Sequence, residues 1–371
     1  MQLVLPLVSV VISNRNYGHF LKEAVDSVYK QLYDLIECVV VDDASTDASA
    51  SILDDIIASH PRVQVVRHQR NAGQAAACRS GFLASRGQYV VFMDADDVLH
   101  PSFVLTHVYV HLSARDHPGL SSSDIFQSVD GHIVICTGEA MNDYLIANRD
   151  TSAANFRPLL REPAGPWIFD QPDPELLSTA KYVPPGHARW CWSPGTANMF
   201  RRDALSMFIE ADEFVSMHIG ADVFLCFAVG TLCGGVLIDR PLSLYRLHGG
   251  NAGSYQAQLK NVRAVRPESE LSRVALVLLI EYLTRKAADI IPRLWSSESY
   301  ISLLESLEGG LGEPQGPATL SRCIAERGTV LSDALGVECF SRWMADRKRK
   351  ASKRRYLWRR LKRLWGRLKS S

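Results

Sequence analysis

Three carboxylates in four positions, Asp94, Asp96 and Asp97, close the apolar run Val90-Val91-Phe92-Met93. The pattern predicts a buried strand that leaves its sheet at a charged edge. Side chains alternate along extended backbone, so Asp94 and Asp96 point to one side of the strand end and Ala95 to the other. Two carboxylates that close repel each other and call for a cation between them. Mg2+ or Mn2+, held by one or two protein carboxylates and the phosphates of a ligand, suits that hard-oxygen chemistry. The competing reading is an acidic turn after a strand, where Asp is common, with Asp97 as no more than a cap.

Other polar clusters follow the same rule of position. β-rich or apolar runs at 7–13, 36–41, 63–67 and 89–93 alternate with helical patterns at about 20–31, 47–60 and 74–85. That alternation predicts right-handed βαβ units and a parallel sheet. The clusters Asn14-Arg15-Asn16-Tyr17-Gly18, Asp42-Asp43-Ala44-Ser45-Thr46-Asp47, Arg70-Asn71-Ala72-Gly73 and 94–97 each come directly after one of these runs. In open sheets of this kind ligands bind beyond the carboxyl ends of the strands, so four turns converge on one rim. Asp42 and Asp43 have a bland reading too, as caps of the next helix.

Val8-Ser9-Val10-Val11-Ile12, Asn16-Tyr17, Glu23-Ala24-Val25-Asp26-Ser27-Val28, Val40-Val41 with the acidic turn 42–47, Asn71-Ala72-Gly73 and Phe92-Met93-Asp94-Ala95-Asp96-Asp97 together resemble the family 2 glycosyltransferases of GT-A fold. The motifs stand in order and at the family's spacing over about residues 4–110, and their joint occurrence is far more specific than any one alone. The resemblance implies a GT-A (Rossmann-like), mostly parallel α/β sheet flanked by helices. It also implies inverting transfer of a sugar from a nucleotide-diphosphate donor, most simply a UDP-sugar, with Mg2+ or Mn2+ at the Asp-x-Asp. By the same resemblance Asp96 and Asp94 take the metal, with His248 on the metal or the diphosphate. Asp94 has the ribose as an alternative, and Asp43 meets the base edge. Asn14, Asn16, Asp42, Asn71, Gly73, Arg79 and Arg246 complete the donor site, and Asp222 is the general base. Two departures stand out. Ala221-Asp222 replaces the family's Glu-Asp, and Cys78-Arg79 replaces Arg-Asn, which puts Arg79 about 100° around its helix from the family's arginine.

Residues 115–190, rich in proline with Trp167 and Trp190, read as an extended insertion over the rim. Order resumes at 192–202, which is similar to the family's strand into a doubly basic turn. A helix follows from Asp222, and then an alternating strand from Pro241 that sets Arg246 and His248 on one face. From Pro267 the pattern turns helical, with a Gly/Pro hinge at 309–317. The expected organisation is a glycosyltransferase domain over 1–260 (donor half 1–112, acceptor half 113–260), a helical appendage over 261–346 that packs on it or on a second copy, and a tail over 347–371.

That tail carries 13 Lys or Arg and no Asp or Glu, which leaves residues 1–346 with 28 basic against 40 acidic groups. Leu357, Leu361, Leu364, Trp365 and Leu368 recur in it at helical spacing. A basic helix with a Trp-containing apolar stripe predicts in-plane contact with an anionic membrane surface rather than nucleic-acid binding. Eight scattered cysteines without a Cys-x-x-Cys pair suit free thiols in a reducing compartment. The N-terminal apolar run lacks a basic leader and contains Pro6 and Asn14, unlike a signal peptide. The longest uncharged stretch, 223–238, is too short to span a bilayer. The expectation is a cytoplasmic enzyme, peripheral on the cytosolic face of a membrane, acting on a glycan or lipid-linked acceptor. A sugar-phosphate nucleotidylyltransferase is the alternative enzyme, but its Gly-rich basic loop is missing at 14–18. A non-catalytic scaffold is the third reading, against which the carboxylates at 94, 96 and 222 weigh.

Overall fold

The computed structural model describes residues 4–136, 139–148, 155–161, 165, 167–170, 172, 173, 175–248, 251, 270–294, 296–350 and 352. The chain forms two compact units, Met1–Leu279 and Ile280–Ser371. The first opens with β1 (Val8–Asn14), α1 (Gly18–Tyr29), β2 (Ile36–Asp42), α2 (Ser49–Ser59), β3 (Gln64–Arg67), α3 (Gln74–Ala84) and β4 (Tyr89–Asp94). β1 runs parallel to both β2 and β4, and β2 parallel to β3, as the alternating pattern predicts. The inner strands are apolar on both faces because helices cover both: Val10, Ile12, Val40, Val90 and Val91 have no solvent exposure. α3 lies directly on β1 and β2 at Gly81, where a Cβ would stand 2.1 Å from Val11 Cγ1.

The unit continues with β5 (Val98–Leu99), α4 (Phe103–Ser113), β6 (Leu120–Val129), β7 (His132–Ile135), α5 (Glu139–Ala147), α6 (Leu176–Thr179), β8 (Lys181–Val183), β9 (Asn198–Arg201), α7 (Arg202–Leu205), α8 (Asp212–Val215), α9 (Ala221–Cys233), β10 (Gly235–Arg246) and α10 (Glu270–Arg285), which crosses into the second unit. The strand order is β3-β2-β1-β4-β9-β6-β10-β5, with β7 beside β6 and β8 beside β10. β9 is antiparallel to β4 and β6, while β10 runs parallel to β6.

Residues 115–190 therefore hold more than an insertion, since β6 is an interior strand of the sheet. Its sequence, Leu-Ser-Ser-Ser-Asp-Ile-Phe-Gln-Ser-Val, has no apolar alternation to announce it. Ser121, Ser122 and Ser123 are fully buried, and their hydroxyls are spent on tertiary partners. Ser121 Oγ meets His107 Nδ1 at 2.6 Å, Ser122 Oγ accepts from Ser193 N at 2.9 Å, and Ser123 Oγ donates to Ala197 O at 3.4 Å. Buried hydroxyls with partners are tolerated where bare ones are costly. The last strand also differs from expectation. β10 starts at Gly235, and Pro241 sits inside it at an irregularity in the pairing with β6, the kind of place where a strand accepts proline. Between α9 and β10 the buried Trp192 ring fills space left by Gly230 and Gly235, where a Cβ would come within 2.6 Å of it.

In the second unit α11 (Ala287–Ile290) is followed by α12 (Ser297–Leu311) and α13 (Gln315–Leu335). Ser296 caps α12 by accepting from Ser299 N at 3.1 Å. The Gly/Pro hinge narrows to 312–314, because α12 runs on to Leu311 and ends at Gly312 with φ of 68°. A further helix occupies 337–350. Arg347 there makes a bidentate pair with Glu308 at 2.7 and 2.9 Å, and Lys350 meets Glu305 at 2.9 Å. The first residues of the basic run are thus committed to α12, and the remainder of the amphipathic tail, 353–371, lies outside the described residues. All eight cysteines are free thiols. Among the described residues no helix is long and apolar enough to cross a membrane.

Candidate active site

The carboxyl ends of β1 and β2 are tied together by their polar loops. Asn14, nearly fully buried at the end of β1, donates from Nδ2 to Asp42 Oδ1 at 2.8 Å and to Ser49 Oγ at 3.0 Å. Asn16, with φ of 61°, accepts from Thr46 N at 2.7 Å. Asp42 also accepts from Ser45 Oγ at 2.6 Å. Asp43 reaches sideways to the loop after β3. It accepts from Ala72 N and Gly73 N, each at 2.8 Å, and meets His68 Nδ1 at 2.7 Å. The turn that the sequence marks as a base-binding site is first of all the brace of the rim, and Asn14 and Asp42 serve that brace.

Next along the rim, Asp94 leaves β4 with its N–H donating to Thr196 Oγ1 at 3.1 Å. Its Oδ1 accepts from Gln74 Nε2 at 3.0 Å. Asp222, in the first turn of α9, accepts from Gly195 N at 2.8 Å. Gly195 has φ of 49°, and a Cβ on it would stand 3.1 Å from Asp94 Oδ2. The loop held by the buried serines of β6 therefore sits between Asp94 and Asp222. Asp97 is no exposed cap: it is 2 % exposed, and Thr196 Oγ1 donates to its Oδ2.

Burial dominates the electrostatics. It raises the Asp94 carboxyl to about 7, with the charges of Asp96 and then Asp222 adding to the effect. Asp97 is pushed well above the ordinary carboxylate range by burial and by the charges of Asp96 and Asp94. Burial also raises Asp222, against the backbone N–H groups of Gly195 and Val223 that favour its ionised form. The Tyr17 hydroxyl is raised by burial and by the charges of Asp96 and Asp94.

His248, just past the end of β10, meets Asp96 Oδ2 through Nε2 at 2.9 Å. Its ring packs against Tyr17 and Phe20 with centroids 5.4 and 5.3 Å apart. Arg246 turns to α1, pairing with Glu23 at 2.6 Å and lying over the Phe20 ring. Arg79 lines a cavity of about 650 Å³ beside α3 with Arg67, His68 and Arg70. The structure thus brings Asp94, Asp96, Asp222 and His248 to one rim, and puts Arg79 on the outer side of α3 and Arg246 against α1. Exposed Asn71 accepts from Gly73 N at 3.1 Å. Gly73, with φ of 91°, packs where a Cβ would come 3.0 Å from His218 Nδ1. Among the described residues no three Asp, Glu, His or Cys side chains converge into a metal-holding group. Asp96 and His248 are one carboxylate and one imidazole in contact. The carboxylate suits a hard divalent cation whose remaining ligands are phosphate oxygens and water, and the imidazole is a borderline donor that favours Mn2+ over Mg2+. Gln74, Gly195 and Thr196 border these carboxylates, but the sequence does not mark them as site residues, because lone Gln, Gly and Thr residues have no diagnostic spacing; Gly195 and Thr196 fall only within the family-like run 192–202.

A helix-flanked sheet with carboxylates gathered where β1, β2 and β4 end defines an α/β protein of the open-sheet kind, in which ligand sites generally lie beyond the carboxyl ends of the strands. Residues 9–117 match glycosyl transferase family 2. An uncharacterized glycosyltransferase of Nostoc is 31 % identical over 244 residues, covering 66 % of each chain. Glycosyltransferase GlyG of Streptococcus pneumoniae is 34 % identical over 110 residues, which is 30 % of this chain and 36 % of that protein. The crystal structure of S. aureus TarS in complex with UDP aligns over 90 % of each chain with a TM-score of 0.48 and 14 % identity. The chain belongs to glycosyl transferase family 2.

Proposed function

We propose that this protein is a metal-dependent, inverting glycosyltransferase that moves a sugar from a nucleotide-diphosphate donor to a hydroxyl of a glycan or lipid-linked acceptor. The reading rests above all on the approach of Asp222 to Asp94 across Gly195. It sets a partly buried carboxylate with a raised pKa beside the acidic rim, where a base is needed. In this reading the donor's base edge meets the Asp43 turn and its ribose lies near Asp94. Asp96 and His248 hold Mg2+ or Mn2+, which supplies charge neutralisation for the departing diphosphate when bound. Asp222 accepts the proton of the acceptor hydroxyl as its oxygen bonds to the anomeric carbon, and the bond to the diphosphate oxygen breaks on the opposite face. A base with a pKa above the ordinary carboxylate value is better matched to that transfer.

A UDP-sugar is the donor class we favour, because the Asp43 carboxylate can accept from a ring N–H of uracil. For the tail we propose contact with an anionic, cytosolic membrane surface, on its composition of Lys, Arg, Leu and Trp. The test of the whole reading is a thermal-shift panel of UDP- and GDP-sugars with and without Mn2+. A ligand bound to the folded state raises its midpoint. A rise with at least one nucleotide sugar that depends on Mn2+ is expected, and no shift across the panel overturns the reading.

A further inference from the structure

Gln74 is the first residue of α3, and both ends of its amide are used. Nε2 donates to Asp94 Oδ1 at 3.0 Å, while Oε1 accepts from Gly220 N at 3.0 Å and Ala221 N at 3.2 Å. Its own backbone N–H donates to His218 O at 2.9 Å. One side chain therefore connects the carboxylate at the end of β4 with the first amides of α9, the helix whose first turn carries Asp222. We infer that Gln74 is a positioning residue, which sets the distance between the donor-side carboxylate Asp94 and the base Asp222; the inference rests on the functional reading above.

The two sides of the link are held differently. Asp94 ends a buried strand that pairs with β1, where Ser13 stands opposite it, and its N–H is held by Thr196. The start of α9 is approached through Gly220, a left-handed glycine with φ of 79°. There Gln74 supplies side-chain acceptors for Gly220 N and Ala221 N, two of the N–H groups that a helix leaves without intrahelical partners. The Asp222 carboxylate is otherwise held by backbone N–H groups, those of Gly195 and Val223. Losing either end of the link therefore frees the start of α9 and the end of β4 to shift relative to each other. The amide is also the one arrangement of this length that serves both ends. It presents an acceptor to a helix N-terminus, where negative charge is favoured, and a donor to a carboxylate.

That asymmetry supplies a discriminating substitution. Gln74→Glu keeps oxygen acceptors for Gly220 N and Ala221 N but has no N–H for Asp94 and opposes its charge. A purely structural capping role predicts that Gln74→Glu keeps both melting temperature and turnover. The positioning role predicts that it keeps melting temperature while kcat falls by about 10²-fold, the usual effect of misplacing a reacting group by about 1 Å. The assay is Mn2+-dependent release of nucleoside diphosphate from UDP-glucose, UDP-N-acetylglucosamine or GDP-mannose. Donor KM should stay within about threefold, since donor contacts shared by ground and transition states are retained. Gln74→Met removes both ends of the link and should show the same loss of kcat together with a lower melting temperature. A Gln74→Glu enzyme with kcat within about threefold of wild type, or with the change confined to KM, overturns the inference. Wild-type protein that releases no nucleoside diphosphate from any of the three donors overturns the functional reading itself.

Discussion

Asp94 and Asp222 face each other across a single glycine. The N–H of Gly195 holds Asp222 at 2.8 Å, and the place of a Cβ on the same residue lies 3.1 Å from Asp94 Oδ2. A methyl group there pushes on Asp94, and its φ of 49° is a left-handed conformation that favours glycine. Gly195→Ala is expected to cost about 1 kcal/mol of stability by urea unfolding. It should also lower turnover by more than that loss of folded protein explains. Full turnover in the folded variant would show that the gap is not needed.

Asp222 is the base of the proposed mechanism. Asp222→Asn should retain Mn2+-dependent donor affinity while turnover drops by about 10²-fold or more, the range for removal of a general base. Measured kcat within a few-fold of wild type would remove Asp222 from the mechanism.

The same carboxylates make stability depend on pH. Folding raises Asp94 from 3.8 to about 7 and raises Asp222 above 3.8, so the folded state binds protons that the unfolded state has released. Their contribution is fully present below pH 3.8 and is lost as pH rises through the folded values, up to about 7 for Asp94. Scanning calorimetry of the metal-free protein at pH 5 and pH 8 should show a smaller fall for Asp94→Asn than for wild type, since asparagine cannot ionise. Parallel curves for the two proteins would contradict this linkage.

Asp96 pairs with His248 and is the metal candidate of the rim. Asp96→Ala should abolish the Mn2+ dependence of donor binding in titration calorimetry. If the Mn2+-dependent heat persists, the metal is held elsewhere.

The basic run divides at the end of the described helix. Arg347 and Lys350 are paired with Glu308 and Glu305, so a truncation after Ser352 leaves that helix intact. It is expected to lose co-sedimentation with vesicles that contain anionic lipid and to keep its melting temperature. Sedimentation equal to that of the full chain would move the membrane contact to another surface.

Sequence alone determined the parallel half of the sheet and the carboxylates at its rim. Apolar runs followed by polar turns depend on short-range patterning, and β1, β2, β3 and β4 and the clusters at 14–18, 42–47, 70–73 and 94–97 follow from it. The resemblance, carried further along the chain to the runs around 222 and 241–248, added Asp222 and His248, which structure places beside that rim. Only tertiary structure decided the rest. The serines of β6 look like a loop until His107, Ser193 and Ala197 supply partners for their hydroxyls. Asp43 and Asn14 also brace neighbouring turns through hydrogen bonds that short-range patterning does not reveal. Gln74 and Gly195 are silent in the sequence because a hydrogen bond between residues distant in the chain has no period. Its partners are chosen by how the strands and helices pack, and that packing brings Gln74 and Gly195 to the two carboxylates they separate.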